Sequence, residues 1–203
     1  MTSETLVRAS LAAEFLVIFP IAAVFRLRSQ ATREPLDRRQ EGVFILATLR
    51  PTGFAHLIGI VLYLINPDMM TWAAVPLPLW MRWIGVALLA ATGGLLFWTL
   101  SSLGKNLTDT VVTRRAHTLV THGPYRFVRH PFYDSVFLLM LSTSLAAANW
   151  FLFVTGLLLF VFIVVRTHIE EEHLVRRFGD SYCDYMAHTG RFLPRSGAMP
   201  AAR

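Results

Sequence analysis

The sequence predicts an all-α integral membrane protein with about five transmembrane helices and a cytoplasmic helical segment near the C-terminus. Three observations lead there. Of 203 residues, 54% are hydrophobic and only 16% charged, where a soluble domain of this size carries about 25% charged residues. Several apolar runs approach or exceed the roughly 20 residues that cross a hydrocarbon layer about 30 Å thick. Between the runs, arginines are concentrated in alternate polar segments, the asymmetry by which Lys and Arg hold loops on the cytoplasmic side.

The first span reads from Leu6 to Phe25 and is followed by Arg26, Arg28, Arg33, Pro35, Arg38 and Arg39. Glu14 interrupts the run and no small-residue cleavage site follows, so the stretch reads as a retained helix and not as a cleaved signal. The second span covers Val43 to Ile65 and ends at Asn66-Pro67-Asp68. The third starts after Pro76 and Pro78 and runs from Trp80 to Leu103. A long polar segment from Gly104 to His130 follows. Two shorter apolar runs, Phe132–Ala147 and Trp150–Val165, are joined by Ala147-Ala148-Asn149, which predicts a tight helical hairpin. From Arg166 to Arg203 the chain is polar.

The charge pattern orients these spans. Five Lys/Arg residues follow the first span, five the third (Lys105, Arg114, Arg115, Arg126, Arg129), and six lie in the segment from Arg166, against Arg8 and Arg82 on the other side. An external N-terminus and a cytoplasmic C-terminus follow. The net charge of +6 is spread over three segments, which argues against a nucleic-acid surface. Cys183 is the only cysteine, so an intrachain disulfide or a cysteine metal site is excluded, and no metal is expected. The chain reads as one domain. Inside the spans, Glu14, Arg50 and His56 stand out, because a charge at membrane depth costs at least about 2.5 kcal/mol. Glu14 is expected to pair with a neighbour, Arg50 to reach the cytoplasmic interface or serve function, and His56 to be a hydrogen-bonded packing residue.

Chemistry-bearing residues concentrate in two places. The first is Thr121-His122-Gly123-Pro124-Tyr125-Arg126-Phe127-Val128-Arg129-His130-Pro131-Phe132-Tyr133. Gly123-Pro124 reads as a turn, and Pro131 suits the first turn of the fourth span, where its missing N–H has no helical partner. Arg129 and His130 then stand at a helix entrance, whose free N–H groups favour an anion. The second place is Arg166-Thr-His168-Ile-Glu170-Glu171-Glu172-His173, a continuation of the fifth span. Three consecutive acids beside an anionic membrane face need a cation, and the 126–130 cluster supplies one. Past them, Phe178, Tyr182 and Tyr185 recur as the aromatic face of an amphipathic helix.

Gly-Pro-Tyr-x-x-x-Arg-His-Pro-x-Tyr at 123–133, Arg-x-x-x-Glu-Glu at 166–171, Phe-Gly-x-x-Tyr-x-x-Tyr at 178–185 and Arg-Phe-Leu-Pro at 191–194 together resemble the isoprenylcysteine carboxyl methyltransferase family and the related phospholipid methyltransferases. The resemblance covers about Leu100 to Pro194, including Leu103-Gly-Lys-Asn106 and His117-Thr-Leu-Val120. It implies S-adenosyl-L-methionine as methyl donor, held by the half from 104 to 195 behind an N-terminal helical half from 1 to 103. It also implies a lipid-like or apolar small-molecule acceptor arriving from the surrounding membrane lipids. Carried over by position, Tyr125, Arg129, His130, Pro131, Tyr133, Glu170 and Glu171 line the cofactor pocket, and Arg129, His130 and Glu170 are the catalytic candidates. Glu172 leaves the register of the acidic pair open by one residue. One departure is Asp134-Ser135, where the family usually has an apolar residue and glycine.

The residue types suit such a donor. Carboxylates attract its ammonium, an arginine binds its carboxylate, and aromatic faces sit on its sulfonium or adenine. No glycine-rich dinucleotide fingerprint is present. The prenylcysteine carboxylate is the leading acceptor, with a phospholipid amine or a small thiol as enzyme alternatives. A nicotinamide-dependent membrane reductase and a non-catalytic membrane scaffold are the other classes.

Overall fold

The computed structural model describes residues 2–30, 45–104 and 118–195. Arg33, Pro35, Arg38, Arg39, Val43, Lys105, Asn106, Arg114, Arg115, His117 and the residues beyond Arg195 lie outside the described residues. Six α-helices follow one another: α1 Ser3–Gln30, α2 Arg50–Ile65, α3 Leu79–Leu103, α4 Pro131–Ala147, α5 Trp150–Phe178 and α6 Asp180–His188. A π-helical turn, Ile45–Leu49, leads into α2, and 3-10 turns occupy Pro67–Ala73 and Gly123–Arg126. No strand occurs among the described residues.

Four helices are long and apolar enough to cross a membrane, and α4 is a shorter fifth. Its 17 residues reach about 25 Å at 1.5 Å per residue, so it relies on its neighbours or on local thinning of the bilayer. The chain is an integral membrane protein, and its surface shows it. Leu16, Phe54, Ile58, Ile65 and Ile84 are all more than half exposed, as residues facing lipid must be. Buried positions include Ser135, Ser142, Thr143, Thr155 and Thr167. Each of these hydroxyls donates to the carbonyl four residues earlier on its own helix, so small side chains let helices approach without stranding a donor. Contact is closest between α3 and α4. A Cβ added at Gly85 would stand 2.5 Å from the Ala146 nitrogen and 2.8 Å from the Ser142 carbonyl oxygen.

The hairpin between α4 and α5 is as tight as expected. Ala148 adopts the left-handed conformation (φ 49°) and closes α4, and the Asn149 side chain accepts from Leu152 N at 3.0 Å to cap α5. Val75 N donates to Ala148 O at 2.8 Å, which seats the 66–78 connection on this hairpin. At the same end, Arg82 donates to Glu4 (2.6 Å), to Tyr63 Oη (2.8 Å) and to Ala146 O (2.8 Å). Tyr63 Oη donates to Glu4 at 2.7 Å. One network therefore joins α1, α2, α3 and α4.

Three sequence expectations meet their outcome here. His56 is buried and its Nδ1 lies 2.8 Å from Thr155 Oγ1, the packing role expected of it. Glu14 Oε2 does not find the expected neighbour: it is buried without a hydrogen-bond partner among the described residues. Phe178, Tyr182 and Tyr185 do not form one helical face either. Gly179, at φ 54°, ends α5 after Phe178 and starts α6 at Asp180. Only the two tyrosines turn inward together, with ring centroids 5.9 Å apart.

Candidate functional site

The buried stripe of α5 runs Leu152, Thr155, Gly156, Leu159, Ile163, Thr167 and Glu171, a helical period that continues past the apolar stretch Trp150–Val165. Glu171 is thus carried inward on a segment outside the membrane span, while Glu172, 100° further round, is solvated and sits 3.5 Å from exposed Arg176. This places Glu170 and Glu171, and not Glu172, at the 123–133 cluster.

That cluster is shaped from two sides. His130 is the N-cap of α4 and Pro131 occupies its first turn. After α6, the chain turns back and its backbone pairs with the loop: Arg129 N donates to Gly190 O at 2.8 Å and His130 N to Arg191 O at 3.1 Å. The Arg129 side chain is turned inward by Nε donating to Glu171 Oε1 at 2.9 Å and by Nη1 donating to the Met186 and Thr189 carbonyls. His130 Nε2 lies 3.2 Å from the same Glu171 oxygen. Arg191 Nη2 donates to the other, Oε2. Tyr133 Oη donates to Glu170 Oε2 at 2.7 Å, and Tyr185 Oη to Tyr125 O at 2.5 Å. His130 stacks on Tyr133 at 5.5 Å between centroids, with Phe192 5.9 Å away on another side.

Electrostatics follow from this packing. Burial alone would raise the Glu171 carboxyl, but hydrogen bonds from His130, Arg191 and Arg129 outweigh it and hold the group at about 2. Burial pushes the phenols of Tyr125, Tyr182 and Tyr185 well up, so all three stay protonated donors. Glu171 is already neutralised by its partners. Glu170 accepts from Tyr133 and retains capacity, since a carboxylate offers about four lone-pair positions.

All seven expected site residues therefore converge at one end of the bundle. Arg191, Tyr182 and Thr189 were not among the site candidates read from the sequence. The signal for Arg191 was present in the Arg-Phe-Leu-Pro segment, and that for Tyr182 in the aromatic spacing. Thr189 carried none. Their importance lies in what they leave open: among the described residues, Tyr182 Oη, Thr189 Oγ1 and Arg191 Nε are buried without a hydrogen-bond partner. Buried polar groups are satisfied in native proteins in the great majority of cases, so these atoms are candidates to receive a polar partner. Two donors able to meet a carboxylate, one acid with spare acceptor capacity and several aromatic faces fit S-adenosylmethionine. Beside Glu171, an open cleft of about 340 Å³ is lined by His168, Glu172, Val175, Arg176 and Met186.

A family model described as phospholipid methyltransferase matches residues 80–181. The protein-S-isoprenylcysteine O-methyltransferase of Tribolium castaneum is 34% identical over 94 residues, 45% of this chain and 34% of that protein. The enzyme of the same name from Schizosaccharomyces pombe is 38% identical over 85 residues, 40% of this chain and 36% of its own length. The nickel-cobalt-cadmium resistance protein NccN of Alcaligenes xylosoxydans is 32% identical over 114 residues, 56% of this chain and 53% of that protein. The fold resembles the solved eukaryotic intramembrane Ras methyltransferase, an isoprenylcysteine carboxyl methyltransferase, with a TM-score of 0.55 and 22% identity, over 93% of this chain and 63% of that one. The chain spans about a third of the length of the two isoprenylcysteine relatives it matches.

Proposed function

This chain belongs to the phospholipid methyltransferase family, and from that premise we propose that it moves a methyl group from S-adenosylmethionine to a heteroatom at the polar end of a lipid-like acceptor. The observation that carries the reading is the set of buried, unpaired polar atoms on Tyr182, Thr189 and Arg191, next to the Arg129–Glu171–His130 network. The donor supplies an activated methyl on a sulfonium. The chain's part is placement. Glu170 holds a cationic group, Arg191 and Thr189 present N–H and O–H to a carboxylate, and Tyr133 and Tyr125 offer aromatic faces. Methyl transfer needs an in-line arrangement, and positioning of this kind supplies much of the rate.

Arg129 and His130 act here mainly by fixing Glu171 and the entrance of α4. The orientation proposed is an external N-terminus, with this site at the cytoplasmic face. The two halves, 1–103 and 104–195, form one unit in which the first anchors and the second binds. The carboxylate of an isoprenylcysteine-type thioether is the first acceptor to consider, given the names of the relatives. The family description keeps a lipid amine as a second. Calorimetry with S-adenosylhomocysteine and with NADPH tests the reading: binding of the first alone supports it, and binding of NADPH alone would replace it with a reductase. With S-adenosylmethionine saturating, Glu170→Ala is expected to abolish turnover in a protein that still folds.

A further inference from the structure

The chain beyond α5 is polar, yet it ends on the most exposed large apolar side chain among the described residues. Leu193 is 79% exposed, and the next value, Leu16 at 76%, belongs to a lipid-facing position on α1. The turn that presents Leu193 is tight. A Cβ added at Gly190 would overlap Leu193 O and stand 3.3 Å from Arg195 N, so the chain doubles back in a space that glycine leaves free. Arginines pin the turn on both sides. Arg191 Nη2 donates to Glu171 Oε2, and Arg195 Nη1 donates to the Met186 and Ala187 carbonyls near the end of α6. Both cationic heads are drawn back onto the protein, and Phe192 and Leu193 are left as the apolar tip.

Ring contacts fix the level of that tip. Phe192 lies 5.9 Å from His130, the N-cap of α4, and 5.7 Å from Phe160. Phe160 stands about 7.5 Å inside the end of the apolar stretch of α5 at Val165, at 1.5 Å per residue. It packs on Phe137 at 4.2 Å, and Phe137 is about 9 Å into α4 by the same rise. The turn therefore reaches back to the level of the spans. The strip of α5 that leads to it faces lipid: Phe153, Leu157 and Val161 recur every fourth residue and are all exposed. Phe160 lies beside them, three residues beyond Leu157, so Phe192 and Leu193 continue a surface that the spans already turn to the bilayer.

We propose that the turn from Gly190 to Pro194 is an interaction surface for the bilayer itself. Leu193 and Phe192 enter the acyl layer of the leaflet at the site's end of the bundle, and that contact holds Arg191 on Glu171. An apolar tip between charged flanks is the pattern of segments that lie in a membrane interface, and acyl chains relieve the cost of an exposed leucine in water. The tip is two side chains wide, far below the roughly 800 Å² per partner of a stable protein interface, so a lipid surface fits it better than a protein. Insertion depends on neither the acceptor nor the methyl-transfer reading.

The test uses the full-length protein in phosphatidylcholine nanodiscs, with Cys183→Ser removing the one native thiol. Leu193→Cys is labelled with a nitrobenzoxadiazole fluorophore, with Val161→Cys as the lipid-facing reference and Arg176→Cys as the water-facing one. The label at 193 is expected to follow that at 161: quenched at least twofold by lipids spin-labelled in the acyl chain, and reduced by aqueous dithionite at least fivefold more slowly than at 176. A dithionite rate equal to that at 176, without quenching from the acyl chains, overturns the insertion. Should Leu193→Cys fail to fold, Pro194→Cys decides. The hold on Arg191 is read separately, as S-adenosylhomocysteine affinity in otherwise native protein. Leu193→Glu should weaken it at least fivefold and Leu193→Met should stay within twofold; unchanged affinity in Leu193→Glu overturns that hold. If the wild type binds no S-adenosylhomocysteine, the methyl-transfer reading falls and the label still decides the insertion.

Discussion

The bundle is tied by an ion-pair network at each end, and the two are built differently. Where α1 begins, Arg82, Glu4 and Tyr63 satisfy one another and Ala146 O, and Arg8 donates to the Leu64 and Ile65 carbonyls. Among the described residues, only Arg8 Nε is left over there. At the other end Glu171 gathers Arg129, His130 and Arg191, yet Tyr182 Oη, Thr189 Oγ1 and Arg191 Nε remain unpaired nearby. One network closes on itself and holds helices together. The other leaves polar groups unpaired among the described residues. What separates the two ends is the number of unsatisfied groups among the described residues, three beside Glu171 against one beside Glu4.

The largest test of that contrast is Glu171→Gln. It leaves the largely buried Arg129 and the partly exposed Arg191 without their counter-charge, which should cost about 3 kcal/mol and remove S-adenosylhomocysteine binding together with thermal stability. The same contribution can be titrated away. The Glu171 carboxyl is held below its ordinary 4.5, at about 2, so its stabilisation is fully present above pH 4.5 and is lost as the pH falls toward 2. Melting curves between pH 6 and pH 3 should show the loss, and the Gln variant should flatten that limb.

Arg82→Ala is the matched cut at the closed end. It takes the cation from Glu4 and the side-chain donor from Ala146 O, leaving Glu4 with Tyr63 alone at a partly exposed site, a loss of about 1–3 kcal/mol. The melting temperature should drop while S-adenosylhomocysteine affinity stays within twofold. If affinity fell in step with stability, the two ends would not be separable in the way described. The smallest effect is expected from Glu172→Gln, which removes a solvated pair with Arg176 and should change stability by less than about 0.5 kcal/mol. A loss comparable to that of Glu171→Gln would reverse the assignment of the inward-facing acid.

The spans were legible because they are set by long-range composition: Leu79–Leu103 and Pro131–Ala147 differ from the sequence reading by one residue at their starts. The site was legible as two clusters of opposite charge, because motif spacing survives in one dimension. What escaped was whatever depends on a meeting between distant segments. Nothing local marks Glu4 and Arg82 as partners across 78 positions, or Thr189 O as an acceptor for Arg129 across 60. The split at Gly179 escaped for another reason. The aromatic spacing is helical on both sides of it, and periodicity does not register a single left-handed residue.

The backbone pairing of Arg129 and His130 with Gly190 and Arg191 also has a consequence for biogenesis. The helices can enter the membrane one after another as the chain emerges, but this site cannot assemble until the segment near residue 191 has left the ribosome and folded back. A nascent chain that has inserted its last span therefore still lacks this pairing. The proposed methyl transfer would begin only once synthesis has passed the arginine that closes Glu171 from its far side.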